Sequence, residues 1–186
     1  MHGNLKQTAG LFEINARLAH ASLAKVCIIY LLKSTNGSYF RQLKEWEVQH
    51  KSPTYYYAAK YWGAHTKLVQ EAGHETDLDG LTRDFLKKNA PFETWATIID
   101  LRYNGDIASP LYYAAKYGLI RSAQDLILSS ECDINAQEGE FGNALQGAAS
   151  KGNEAIVQLL LTHEADVNAQ GGYYGNALQA AAFNWK

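Results

Sequence analysis

The residues able to do covalent or acid–base chemistry are few and scattered. Six histidines stand at His2, His20, His50, His65, His74 and His163, and none pair at metal-ligand spacing. His74-Glu75 does not open an H-E-x-x-H zinc motif, because Leu78 stands where the second histidine belongs. Cys27 and Cys132 both sit in apolar surroundings, where burial raises a thiol's pKa, so they read as reduced core residues and not as nucleophiles. No CxxC pair suggests zinc, and no G-x-S-x-G or G-x-x-x-x-G-K-[ST] is present to carry a nucleophile or cradle a nucleotide. Tyr55, Tyr56, Tyr57, Tyr61 and Trp62, with Lys51, Lys60 and Lys67 nearby, could stack on bases. Stacking platforms also need a continuous basic groove, so a Tyr-rich helix core is the more direct reading. The sequence thus offers no catalytic, cofactor or metal residues, and what remains is recognition.

Charge narrows the partners. The formal net charge of the 186 residues is -2, which gives no global attraction to nucleic acid or to an anionic membrane. Its distribution is uneven: residues 1–104 carry 13 Lys/Arg and 10 Asp/Glu, a net +3, while residues 105–186 carry 4 and 9, a net -5. The longest uninterrupted apolar run, Val26 to Leu32, is too short to span a bilayer, and Met1-His2-Gly3-Asn4 opens a polar segment and no signal peptide. A cytoplasmic protein with a protein partner is the expectation.

The acidic half is repetitive. Asp133-Ile134-Asn135-Ala136-Gln137 recurs as Asp166-Val167-Asn168-Ala169-Gln170, and Gly142-Asn143-Ala144-Leu145-Gln146 as Gly175-Asn176-Ala177-Leu178-Gln179, both at an offset of 33. A weaker copy begins at Ser109-Pro110-Leu111, with Ala114-Ala115 in phase. The period and pattern resemble the ankyrin repeat, a β-turn followed by two helices. The fold class expected is therefore all-α: a helical N-terminal domain over 1–104, then ankyrin repeats over 105–186, divided at about 109–142, 143–175 and a partial 176–186. Turn tips and the inner-helix face are where such units commonly meet partners. The candidate partner-binding residues are Glu138, Glu140, Gln170 and Tyr173 on the tips, and Tyr112, Gln146 and Gln179 in one shared inner-helix slot. Phe141 and Tyr174, also in a shared slot, are expected to pack between adjacent hairpins.

Two departures from the usual repeat have physical consequences. Asn143 and Asn176 replace the threonine of Thr-Pro-Leu-His but can cap a helix through the side-chain oxygen. The hydrogen bonds of the missing histidine must be replaced or lost. Glu131 and Glu164 stand where glycine usually ends the outer helix, a position that favours left-handed backbone. The first unit carries one extra residue, most simply placed in the helix–helix turn between Gly118 and Leu126. Outer helices are expected over 123–130 and 155–163.

In the front half, apolar residues at helical spacing predict a long helix over 11–33 (Leu11, Ile14, Leu18, Ala21, Leu23, Cys27, Tyr30, Leu31), and the all-round apolar run Val26–Leu32 predicts burial on most sides. Phe40, Leu43 and Trp46 suggest a short helix. Ser52-Pro53 opens an aromatic one, Asp77 caps a third with Leu78, Leu81, Phe85 and Leu86 inward, and Pro91 starts a fourth with Phe92, Trp95, Ile98, Ile99 and Leu101. Tyr56-Tyr57-Ala58-Ala59-Lys60-Tyr61 is echoed at 112–117, but the offset of 56 is not a multiple of 33, so the first copy reads as a packing helix of the front region.

Two stretches together carry a wider resemblance. The variant Asn-Ala-Gln-x-Gly-x-[Tyr/Phe]-Gly-Asn-Ala-Leu-Gln, and in front of it Leu23–Leu32 and Tyr57–His65, resemble fungal NACHT–ankyrin proteins, receptors of the STAND NTPase type. The resemblance implies a non-catalytic interaction module corresponding to their post-NACHT helices and repeats, in an intracellular signalling setting; the NTPase itself is not implied, because the phosphate-binding loop is missing. The alternative is a regulatory or decoy fragment that self-associates or stacks on full-length relatives. Leu178, Ala181, Ala182 and Trp185 are expected to have one side uncovered, favouring fraying, self-association or a continuation of the chain.

Overall fold

The computed structural model describes residues 3–34, 39, 42–72, 77–87, 89–100, 107–129 and 132–183, with side chains of the first helix from residue 16 onward. The helices in chain order are α1 (Gly3–Lys33), α2 (Glu45–Lys51), α3 (Pro53–Glu71), α4 (Asp77–Phe85), α5 (Ala90–Ile99), α6 (Pro110–Tyr117), α7 (Ile120–Leu128), α8 (Ala144–Ser150), α9 (Glu154–Thr162) and α10 (Ala177–Phe183). Among the described residues there is no strand beyond two isolated bridges. Phe40, Leu101, Glu131 and Trp185 fall outside the described residues.

The helix starts follow local chemistry. Pro53 occupies the first turn of α3, where its missing N–H leaves no hydrogen bond unmade. Asn89 caps α5 by accepting from the Phe92 N–H at 3.1 Å, and Asn143 caps α8 by accepting from Gln146 N–H at 2.8 Å. α1 and α3 pack antiparallel, with His20 against His65 near one end and Tyr30 against Tyr55 near the other; Ala24, Ile28 and Leu31 of α1 and Tyr55, Ala58 and Ala59 of α3 are buried.

Trp62 sits at the centre of the front half. It meets Phe85 and Trp95 edge-to-face, at ring-centroid distances of 4.9 and 5.4 Å. The cluster does not stop at the sequence boundary near residue 104. Trp95 continues it to Tyr113 of α6 at 4.9 Å, and Trp62 reaches Tyr117 at 6.2 Å. Polar contacts cross the same junction: Lys67 Nζ donates to Asn153 Oδ1 at 2.8 Å, Arg83 pairs with Asp125 at 2.7 Å, and Lys116 pairs with Asp100 at 2.9 Å. The front helices therefore cover the first repeat and share one core with it.

Three expectations are corrected. The run Val26–Leu32 is not buried on most sides: Val26 is 65% exposed, and Ile29 and Tyr30 also face outward. Apolar composition reports what a face could bury, not whether a neighbour lies there. The short helix α2 starts at Glu45, so Leu43, expected within it, lies ahead of it and Trp46 is inside it. Finally, the helix–helix turns of the two repeats are identical, with Leu119 N–H donating to Ala114 O and Asn153 N–H to Ala148 O, and the outer helices α7 and α9 are both 9 residues long. The extra residue of the first unit therefore lies after α7, before Asp133.

Glu164 has φ +64, the left-handed geometry expected of it, and closes α9 with Ala165 N–H donating to Leu160 O and its own N–H to Leu161 O. Gly118 and Gly152 make the same closure after α6 and α8. Replacing Glu164 by glycine is expected to stabilise the fold by about 1 kcal/mol, the left-handed penalty of a residue with a Cβ. A thermal melt showing no gain would contradict this.

Candidate interaction surface

Each repeat presents a hairpin ahead of its inner helix. The bridges Glu138–Gly142 and Gly171–Gly175 close the two tips, and Tyr173 N–H donates to Glu140 O at 2.9 Å, tying one tip to the next. Phe141 and Tyr174 stack between the hairpins at 5.7 Å with ring planes 8° apart, the arrangement expected of that slot. Stacking them inward leaves their neighbours outside: Tyr173 is 71% exposed, and Glu140 and Gln170 are exposed beside it.

The shared inner-helix slot divides. Tyr112 and Gln146 are buried, which corrects their selection as partner contacts. The Tyr112 hydroxyl accepts from Phe141 N–H at 3.2 Å, and burial pushes its pKa far up, so it stays neutral. Gln146 Nε2 points at the carbonyls of Ala169 and Gly175, both at 3.2 Å, and so bridges to the following hairpin. These two side chains supply inter-repeat hydrogen bonds from the slot in which the usual repeat carries histidine. Gln179, in the same slot one repeat on, is exposed. Glu138 is half-buried, and its carboxylate accepts from Ser109 N–H at 2.8 Å and from the Ser109 hydroxyl, so it clasps the first hairpin to the start of α6. Glu140, Gln170, Tyr173 and Gln179 remain on the surface.

Lys116 was missed in the sequence. Its side chain is nearly enclosed, with Asp100 at 2.9 Å, Glu140 at 3.8 Å and the Phe141 ring at 5.3 Å. Its hydrogen bond goes to Asp100, with Glu140 within ion-pair reach, and no spacing rule joins it to residues 100 and 140.

A second grouping lies in the front half. His20 Nδ1 and His65 Nδ1 approach to 2.9 Å between α1 and α3, and the Tyr57 hydroxyl lies 3.2 Å from His65 Nε2. One Nδ1 must donate and the other accept, so the geometry disfavours two protonated rings. Burial first, and then the charge of His20, holds the His65 pKa below its ordinary value of 6.5. The unfolded chain therefore takes up this proton more readily. The resulting stability is present above the unfolded pKa and is lost as pH falls through the folded one. The melting temperature of the native chain is expected to fall more steeply below about pH 6.5 than that of His65→Gln; parallel curves would contradict the assignment.

Among the described residues no group of three or more His, Cys, Asp or Glu is placed to hold a metal, and no helix is long and apolar enough to cross a membrane. Burial raises the pKa of both Cys27 and Cys132.

Residues 104–185 match the family model described as ankyrin repeats, in three copies. The hairpin–helix–helix units and this match make the fold an all-α ankyrin solenoid with a helical front. Such repeats are typically non-catalytic protein-binding modules. The chain is also 35% identical over 176 residues to the azaphilone pigments biosynthesis cluster protein L of Monascus ruber. That alignment covers 83% of this chain and 36% of the relative, so the chain spans about a third of that protein's length. Coverage of 83% exceeds what residues 104–185 can supply, so the likeness extends into the front helices.

Proposed function

We propose that this chain is a non-catalytic protein-interaction module that reads its partner with the exposed edge of the two hairpins. Glu140, Gln170 and Tyr173 form the centre of that edge, with Gln179 beyond them and Glu138 holding the first tip in place. The observation that carries the reading is Tyr173, 71% exposed beside the inward-stacked Phe141–Tyr174 pair. An exposed tyrosine on a braced loop offers large contact area at little entropic cost. The front helices, divided from the repeats near residue 104, serve as the cap of the stack. The setting we infer is a cytoplasmic NACHT–ankyrin-type receptor, supported by the repeat variant and by Leu23–Leu32 and Tyr57–His65.

The test is quantitative affinity capture with the native chain and with a Glu140→Ala/Tyr173→Ala variant. The variant is expected to melt like the native chain and to lose at least one bound protein selectively. Identical captured sets would overturn the assignment of the tips.

A second reading, self-association, is favoured by the apolar face at α9 and α10. Leu161, Val167, Leu178 and Phe183 are 43%, 56%, 80% and 59% exposed. A regulatory fragment that stacks on copies of itself or on longer relatives would use this face.

A further inference from the structure

The two hairpins repeat one arrangement with one difference. Phe141 and Tyr174 hold the same slot, 33 residues apart. The Lys116 and Lys151 ammonium groups each lie 5.3 Å from the centre of the Phe141 ring, the first from the inner helix of the preceding unit and the second from the end of its own. An ammonium at that distance is attracted by the negative face of an aromatic ring. The same relation one unit on gives Ser150 for Lys116 and Asn184 for Lys151, and neither bears a charge. Tyr174 thus lacks both lysine counterparts. It has a second ring beside it instead: Tyr173, which stands where the first hairpin carries Glu140, lies 4.9 Å away with the planes 88° apart. The surrounding charge is negative. The hairpin stretches 133–142 and 164–175 hold five carboxylates, on Asp133, Glu138, Glu140, Glu164 and Asp166, and no Lys or Arg. Lys116 has its closest carboxylate in Asp100 at 2.9 Å, while Glu140 is 3.8 Å from it and 47% exposed.

We propose that the hairpin tips take a Lys or Arg side chain from a basic segment of the partner protein, its cation held against the Tyr173 ring and beside the Glu140 carboxylate. The proposal rests on the tip reading above and names the chemistry of the partner. Tyr173 and Glu140 stand on adjacent tips joined by the Tyr173 N–H to Glu140 O bond, so one side chain reaches both. Most of the Tyr173 side chain is open to solvent, and Tyr174 beside it is fixed by stacking on Phe141, which holds the two-ring corner in place. Only a cation gains from both groups. An apolar side chain would desolvate the carboxylate without pairing it, and an anion would be repelled by the carboxylate and by the ring face alike. The five carboxylates also steer a basic segment toward this edge. Glu140 holds the Tyr173 position one repeat earlier and stays exposed with a hairpin stacked against it, so a tip is accessible whether or not a further unit stacks behind it.

The experiment is selection of random dodecapeptides displayed on phage against the full chain, followed by fluorescence anisotropy with the enriched peptides. Anisotropy is repeated with Glu140→Gln, Tyr173→Phe and Tyr173→Leu, and matched melting curves establish that all three variants fold. The enriched peptides are expected to carry an excess of Lys and Arg, and to bind the native chain with an affinity that falls as salt rises. Tyr173→Phe keeps the ring face and is expected to hold that affinity within about twofold, whereas Tyr173→Leu and Glu140→Gln are each expected to weaken it about fivefold. Peptides that lose affinity with Tyr173→Leu but carry no excess of basic residues overturn the proposal and leave the tips as the partner surface. Basic peptides that bind all three variants as tightly as the native chain overturn it by placing the basic segment elsewhere. Equal losses with Tyr173→Phe and Tyr173→Leu assign the contact to the hydroxyl and also sink it. A selection that enriches no peptide removes the basic segment as the partner, while the tips themselves are decided by the affinity capture described above.

Discussion

Replacing Trp62 by alanine is expected to lower the unfolding free energy by about 3–5 kcal/mol, and to lower it for the repeats as much as for the front helices. The side chain is 1% exposed and packs against Phe85 and Trp95 within the cluster that Trp95 continues to Tyr113. Removing the indole leaves a cavity at the place where α3, α4, α5 and α6 meet. The repeats cannot compensate, because their first inner helix packs Tyr113 and Tyr117 against Trp95 and Trp62 of the front half. Hydrogen exchange in α8, far from the substitution, should therefore rise together with exchange in α3. A repeat region that keeps its protection while α3 loses it would show two independent bodies and contradict the shared core.

The second large effect is expected at Gly172, at the tip of the second hairpin. Its φ is +62, and a Cβ there would collide with the carbonyl carbon and oxygen of Phe141 in the hairpin before it. Backbone atoms cannot rotate out of the way as a side chain can. Gly172→Ala is expected to cost about 2–4 kcal/mol, combining left-handed strain with overpacking. Gly152→Ala is the control: its φ is +65, but a Cβ there would meet no atom within 4 Å, so only the strain of about 1 kcal/mol remains. Equal losses at the two sites would mean that the hairpins do not abut as described.

These two residues also mark how much the sequence could disclose. The repeat unit was legible because Asn-Ala-Leu-Gln and its flanking glycines recur at a fixed offset, and capping by Asn143 and left-handed Glu164 follow from local chemistry alone. The inward stacking of Phe141 and Tyr174 was also legible, because both copies keep an aromatic there. What could not be read is which neighbour covers a given face. Tyr112, Gln146 and Gln179 share one slot, yet a hairpin packs over the first two and none of the described residues over the third. The apolar run at Val26 suggested burial and delivered a surface, since only the packing partners of α1 decide which side is covered. Lys116 beneath Glu140, and His20 against His65, join residues 24 and 45 positions apart through tertiary packing, which no spacing rule anticipates.

The proposed function depends on the hairpin edge, and photo-crosslinking reaches it most directly. A photoreactive amino acid is placed at position 173 on the tip or, as the comparison, at position 124 on the exposed side of α7. A captured partner is expected to crosslink from position 173 and not from position 124. Crosslinking from position 124 with none from position 173 would contradict it, and would move the binding surface to the outer helices.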